Sequence, residues 1–257
     1  MQSDTVKHVR NFRDLGGIGC DGGQVKDGLL LRSGHLAKLK PSDVETLLER
    51  YNFGLVIDLR TATERTEKPD VAIPDVENRH APLFAESAIG ITHERASDGW
   101  AALEERLPDM KALYRSMVSG ENTAHLSKAV DMIVDVVIEG QTVLYHCTEG
   151  KDRTGIVTLV LLSILGASQQ AIADDYLRTN DIARAKASRL YWLVRLLKRD
   201  KAVAEKMRSV FVADISYLNA AIDEVNTTWG SIAAFTADGL GIDEQRQAAF
   251  RHAACKR

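Results

Sequence analysis

Along residues 29 to 165, short apolar runs alternate with stretches whose apolar positions recur every three or four residues, the order expected of strands laid between helices. Leu29-Leu30-Leu31 and Leu55-Val56-Ile57 read as short buried strands. Between them a helix opens at Ser42, where Ser42 and Glu45 make a capping-box pattern. His80-Ala81-Pro82-Leu83 is expected to add a strand. From Asn122, the positions Leu126, Val130, Ile133, Val134, Val137 and Ile138 share one helical face, which Gly140 ends. Thr142-Val143-Leu144-Tyr145 follows as a buried strand. The run from Ile156 to Leu162 is apolar on every side, so the helix beginning near Thr154 is expected to be central, with Gly166 as its stop.

The C-terminal third is helical in pattern, with segments near 169–178, 182–199, 201–225 with a break, and 243–254, the last capped by Asp243. In the segment from Ile182, Leu190, Leu193, Val194 and Leu197 form an apolar stripe facing Arg184, Arg189, Arg195, Lys198 and Arg199. A core helix with a solvated basic face is the plainer reading, and a surface for anionic lipid is the other. The whole predicts an α/β protein with a short, mostly parallel central sheet flanked by helices. Residues 84 to 120 fit less well, because Pro108 interrupts the pattern and Gly90, Gly99 and Gly120 punctuate it.

Composition narrows the function classes. A chain of 257 residues, 45% hydrophobic and 27% charged, can bury a full core as one domain, residues 1–257. No run of eighteen apolar residues and no hydrophobic leader core is present, so a cytoplasmic protein without stable membrane insertion is expected, export by another route being left open. A net charge of -3 argues against a nucleic-acid partner. Cys20, Cys147 and Cys255 are scattered, with neither zinc-site spacing nor an even disulfide set, which suits a reducing compartment.

The chemistry is concentrated in His146-Cys147-Thr148-Glu149-Gly150-Lys151-Asp152-Arg153-Thr154-Gly155, between the last strand and the apolar helix. A tight loop running into a helix N-terminus presents backbone N–H groups and partial positive charge to an anion. Thr148, Glu149, Gly150, Lys151, Asp152 and Arg153 would form that phosphate cradle around Cys147, whose thiolate such a setting favours. Arg153, six positions on, offers a planar fork for two phosphoryl oxygens. A P-loop nucleotide site is excluded, because Asp152 rather than Ser or Thr follows Lys151, and no glycine stands five residues before Gly150. A rhodanese-like sulfur carrier is disfavoured by the Gly-Lys-Asp-Arg-Thr-Gly continuation.

This loop, with Asn11-Phe12-Arg13-Asp14-Leu15-Gly16-Gly17, Leu31-Arg32-Ser33-Gly34 and Val56-Ile57-Asp58-Leu59-Arg60, resembles the atypical bacterial tyrosine phosphatases. The resemblance covers the first ~165 residues in ordered blocks. It implies a tyrosine phosphatase-like fold and a metal-independent hydrolase without cofactors, working through a phosphocysteine on Cys147. It implies phosphotyrosine peptides or proteins as substrates, with dual specificity and phosphoinositides as further candidates, and a helical lid at about 84–120, although Trp100, Leu103, Leu107, Met110, Leu113, Tyr114 and Met117 suit ordinary core helices equally, the plainer reading. A phosphate-binding module that has lost turnover is the alternative from another class. Nothing sets the oligomeric state.

Two aspartates compete as general acid: Asp152 in the cradle, ahead of Asp58 at the end of a neighbouring strand. Either can instead be structural, Asp152 orienting Arg153, or Asp58 pairing with Arg60 or Arg13. Thr154 is expected to donate its hydroxyl to the departing thiolate, and His146 to orient the loop. Glu149 departs from the family pattern and would repel phosphate unless it turns outward. Lys151 is expected to point toward the pocket mouth, where it can pair with a second phosphate. No polybasic cluster is evident near the site.

Overall fold

The computed structural model describes residues 6–84 and 108–256. Its central sheet has the order β1-β4-β7-β5-β6, formed by β1 (Arg13–Asp14), β4 (Leu30–Ser33), β7 (Thr142–His146), β5 (Phe53–Asp58) and β6 (Glu77–His80). All pairs are parallel except β1 with β4. Side chains alternate across each strand, and here both faces are covered. Leu30, Leu55, Ile57, Val143 and Tyr145 join the larger core, whereas Leu31, Val56 and Leu144 join a smaller one with Leu36, Leu47 and Ile73.

The larger core is built by α4 (Asn122–Ile138) and α5 (Asp152–Ile164). The predicted face of α4 is buried apart from Ile138, its last residue. All of α5 but Ser163 is buried, so its N-terminus is held rigidly at the C-terminal edge of β7. The predicted C-terminal helices appear as α6 (Gln169–Leu177), α7 (Asn180–Lys198), α8 (Lys201–Phe211), α9 (Ile215–Trp229) and α11 (Glu244–Ala254), with a short α10 (Ile232–Ala234) and a π turn at Phe235–Gly239 between the last two. Asp243 caps α11 through the Arg246 N–H at 2.8 Å.

Three sequence expectations shift. Helix α1 (Pro41–Arg50) begins with Pro41, whose missing N–H costs nothing there, and Asp43 rather than Glu45 accepts the Lys40 N–H. The strand expected at His80–Leu83 ends at His80, although the Ala81 and Leu83 N–H groups still donate to Asp58 O at 2.9 Å and Leu59 O at 3.3 Å in an irregular continuation. Cys20 and Cys255, expected to be separate thiols, are joined as a disulfide, because β2 (Gly19–Cys20), β3 (Gly23–Val25) and β8 (Cys255–Lys256) form a small antiparallel sheet from the two ends of the chain. Most of the expected lid lies outside the described residues. Its last part is α3 (Met110–Ser116), which buries Met110, Leu113 and Tyr114 against the core.

Candidate active site

Cys147 follows β7 directly and lies almost wholly buried, with the loop to α5 wrapped around it. The loop carbonyls are tied outward. Thr148 O accepts the His35 N–H at 3.1 Å, Glu149 O accepts Asn11 Nδ2 at 3.3 Å, and Gly150 O accepts Asn11 Nδ2 at 2.7 Å and Arg32 Nη2 at 2.8 Å. Because a peptide unit is planar and trans, carbonyls fixed outward turn the following N–H groups toward the concave side. Gly150 has φ +68°, and a Cβ there would stand 2.5 Å from Ser33 backbone. A Cβ at Gly34 would meet Thr148 O at 3.0 Å, so the Arg32-Ser33-Gly34 segment can pass only with glycine on each side.

The arginines noted near the start of the chain hold this loop from below. Asp175, on α6, accepts from Arg13 Nε at 2.7 Å and from Arg32 Nη1 at 2.6 Å, with all three side chains buried. Burial works against charge on Asp175, yet Arg32 and Arg13 keep its carboxyl below the ordinary range. Asn11, held at φ 55°, accepts from Arg13 and reaches Thr179 Oγ1 at 3.2 Å. One buried network thus fixes the first strand, the signature loop and the start of α7.

Arg153, in the first turn of α5, is gripped by a residue absent from the sequence expectations. Glu64 accepts from Arg153 Nη1 at 2.5 Å and Nη2 at 2.7 Å, and from the Thr148 hydroxyl at 2.7 Å. Glu64 also closes a capping box with Thr61 at the start of α2 (Ala62–Glu67). Burial raises its pKa, but Arg153 and Thr148 bring it down to about 2. In return, although burial opposes its charge, Arg153 is held above the ordinary guanidinium range by Glu64 and then Cys147. The bidentate contact uses one edge of the fork and leaves the Nε side available for an anion.

The two competing aspartates occupy different surroundings. Asp58 is fully buried, accepts from Arg60 at 2.9 Å and 2.7 Å, and lies 3.9 Å from His146 Nδ1. Burial pushes its pKa up, but His146 and Arg60 bring it to about 2. Asp58, Asp70 and His146 are close enough to ligate a metal, but Arg60 Nη2 donates to both carboxylates at 2.7 Å, so a guanidinium already fills that place. Asp152 lies instead at a recess of about 130 Å³ whose walls include Asn11, Ile182, Val210 and Phe211. Its Oδ1 accepts from the Tyr114 hydroxyl at 2.7 Å, and Tyr114 and Tyr176 share a further hydrogen bond of 2.7 Å. Burial, followed by the Asp152 charge, raises both phenols well above their ordinary pKa.

Among the remaining sequence candidates, Glu149 does turn outward, onto Arg10 at 3.2 Å. Asp152 does not orient Arg153, a position Glu64 takes. Lys151 is corrected: its ammonium is buried, donating to Val210 O at 2.6 Å and Val212 O at 3.2 Å, and lies 3.3 Å from Asp152. The C-terminal end of α8 offers those unpaired carbonyls, and they draw the cation away from the pocket mouth. His146 lies buried with Nδ1 3.3 Å from Cys147 O and Nε2 3.2 Å from Asp70 Oδ2. The Thr154 hydroxyl is buried without a hydrogen-bond partner among the described residues.

A mostly parallel sheet whose central strand runs through a cysteine loop into a buried helix is the architecture of the tyrosine phosphatase-like class. The profile of the tyrosine phosphatase family matches residues 5–256, and the chain belongs to that family of hydrolases. It is 30% identical over 243 residues to a Cupriavidus necator protein whose name carries a provisional tyrosine-protein phosphatase assignment, covering 91% of this chain and 83% of that one. It is 25% identical over 262 residues to the triple specificity protein phosphatase PtpB of Mycobacterium tuberculosis, covering 91% and 92%.

Proposed function

We propose that this enzyme hydrolyses phosphotyrosine in peptides or proteins through a phosphocysteine formed on Cys147. The observation that carries the proposal is the buried Cys147 at the head of the loop from His146 to Gly155, with Arg153 of the same loop held by Glu64. Cys147 Sγ attacks phosphorus, the S–P bond forms, and the phenolate leaves with a proton from Asp152, which stands at the recess where a phenol would enter. Water then attacks phosphorus, Asp152 takes its proton, and Thr154 donates its hydroxyl to the departing thiolate. Arg153 and the loop N–H groups carry the equatorial charge in both steps, so neither step calls on a metal or a cofactor. Asp58 serves as a structural partner of Arg60.

Phosphotyrosine is the better substrate and phosphoinositides the weaker ones. Lys151 spends its charge on carbonyls and Asp152, leaving it unable to meet a second phosphate. Activity across phosphoserine and phosphothreonine accords with the triple specificity named for the mycobacterial relative. The test is Cys147→Ser, which should remove p-nitrophenyl phosphate turnover while a phosphotyrosine peptide still binds; turnover retained by that variant would refute the covalent route. Wild-type turnover should also survive EDTA.

A further inference from the structure

The α7–α8 hairpin is apolar on two opposite sides. One side is the seam between its helices, where Ala187 and Val194 of α7 and Ala204, Met207 and Val210 of α8 are buried. The other side faces out: Trp192 is 68% exposed, Leu196 76% and Leu197 58%, with exposed Leu193 beside them. The stripe read from sequence is therefore split, Val194 turning inward and Leu193 and Leu197 outward. Positions 192, 193, 196 and 197 adjoin on a helix surface, so these side chains make one patch rather than scattered exposures.

Charge singles out the same hairpin. Residues 180–211 hold nine Lys or Arg against three Asp or Glu, a net of +6 in a chain whose net charge is -3. The rest of the molecule therefore carries -9. Arg184 and Arg199 are exposed and Arg195 half-buried on the flank of the apolar patch, where they border it without interrupting it. An aromatic and leucine face flanked by arginines is the composition that settles into the headgroup boundary of an anionic bilayer, and α7 is not long and apolar enough to cross one.

We propose that the outer face of the α7–α8 hairpin docks this phosphatase on an anionic lipid surface. Exposed Ile182, about 15 Å before the patch on the same side of α7, lines the recess beside Asp152, so the docked helix runs to the recess wall. Docking sets where the enzyme works rather than which phosphoryl group it accepts, and it rests on the hairpin alone.

Flotation with vesicles tests it, using phosphatidylcholine alone and phosphatidylcholine mixed with phosphatidylserine. Wild type should float with the mixed vesicles and not with the neutral ones, and added salt should release it. The double variant Trp192→Ser, Leu196→Ser and the triple variant Arg184→Gln, Arg195→Gln, Arg199→Gln should each weaken binding by about tenfold or more. Their melting temperature and p-nitrophenyl phosphate turnover should match wild type. Absence of wild-type binding, equal binding to both vesicles, or binding unchanged in the double variant overturns the proposal. So does self-association in solution that the double variant abolishes while wild type ignores vesicles. Loss of aryl phosphate turnover by wild type would sink the catalytic proposal and leave the flotation result standing.

Discussion

Replacing Glu64 by Gln tests whether the phosphate clamp is built from a distance. The substitution keeps the shape but removes the charge facing Arg153 and turns an amide N–H toward a guanidinium that has only donors. Glu64 moves from 4.5 in the unfolded chain to about 2 in the fold. At ~1.4 kcal/mol per pKa unit this corresponds to roughly 3 kcal/mol, within the range for leaving a buried charge unpaired. The melting temperature should fall by ~6–12 °C. A depressed carboxyl pKa stabilises the fold above the unfolded value, and that contribution disappears as pH falls through the folded one. Urea unfolding of wild type and Glu64→Gln should therefore differ by roughly 3 kcal/mol at neutral pH and converge as pH falls from 4.5 to about 2. Catalytic efficiency should drop ~10²-fold with p-nitrophenyl phosphate, since the fork loses its alignment. A difference below about 1 kcal/mol at neutral pH, or one that stays constant down the acid range, would show that the pair does not hold Arg153 as argued.

Asp152→Asn should slow phenyl phosphate far more than an aryl phosphate with an acidic phenol, because only the poor leaving group needs the proton, whereas Asp58→Asn should lower stability and leave that ratio unchanged; the reverse order would exchange their roles. Lys151→Ala should reduce phosphopeptide and phosphoinositide hydrolysis equally and lower the melting temperature, as the carbonyls of Val210 and Val212 lose their donor, and a selective loss on lipid would return Lys151 to the pocket mouth. Cys20→Ser should cost up to ~5 kcal/mol under oxidising conditions, given a closed loop of 235 residues, and nothing once wild type is reduced, with intact mass under both conditions as the control.

What the sequence made legible is what depends on neighbours along the chain. The face of α4, the all-round burial of α5, the Asp243 cap of α11, the break between α8 and α9, and the spacing of the cysteine loop follow from periodicity, caps and spacing within a few residues. The short strands β1, β2, β3 and β8 have two or three residues each, too few for any period to register. Glu64 was visible only as half of a Thr61 capping box; its second function arises 89 residues away, where the parallel pairing of β5 with β7 brings the start of α2 beside the start of α5. Asp175 is similar, since its partners Arg13 and Arg32 lie 162 and 143 residues distant and meet it only through the sheet.

Lys151 shows how a motif can misplace a side chain. A cradle lysine was assigned to substrate because its spacing puts it beside the phosphate, yet its four-carbon stem gives it a choice of anionic partners, and the fold decides among them. Here the α8 terminus presents two carbonyls and Asp152 lies 3.3 Å away, so the ammonium is fully paired inside the protein. Arg153 had less freedom: Glu64 accepts from both of its terminal nitrogens and Thr148 Oγ1 lies 3.4 Å from Nη2. The loop is thus hardest to read from sequence where a flexible cation can answer to a helix brought in from elsewhere in the chain. That same helix pair supplies the recess wall at Ile182, Val210 and Phe211, so the wall of the recess beside Asp152 is the part least visible in the signature motif.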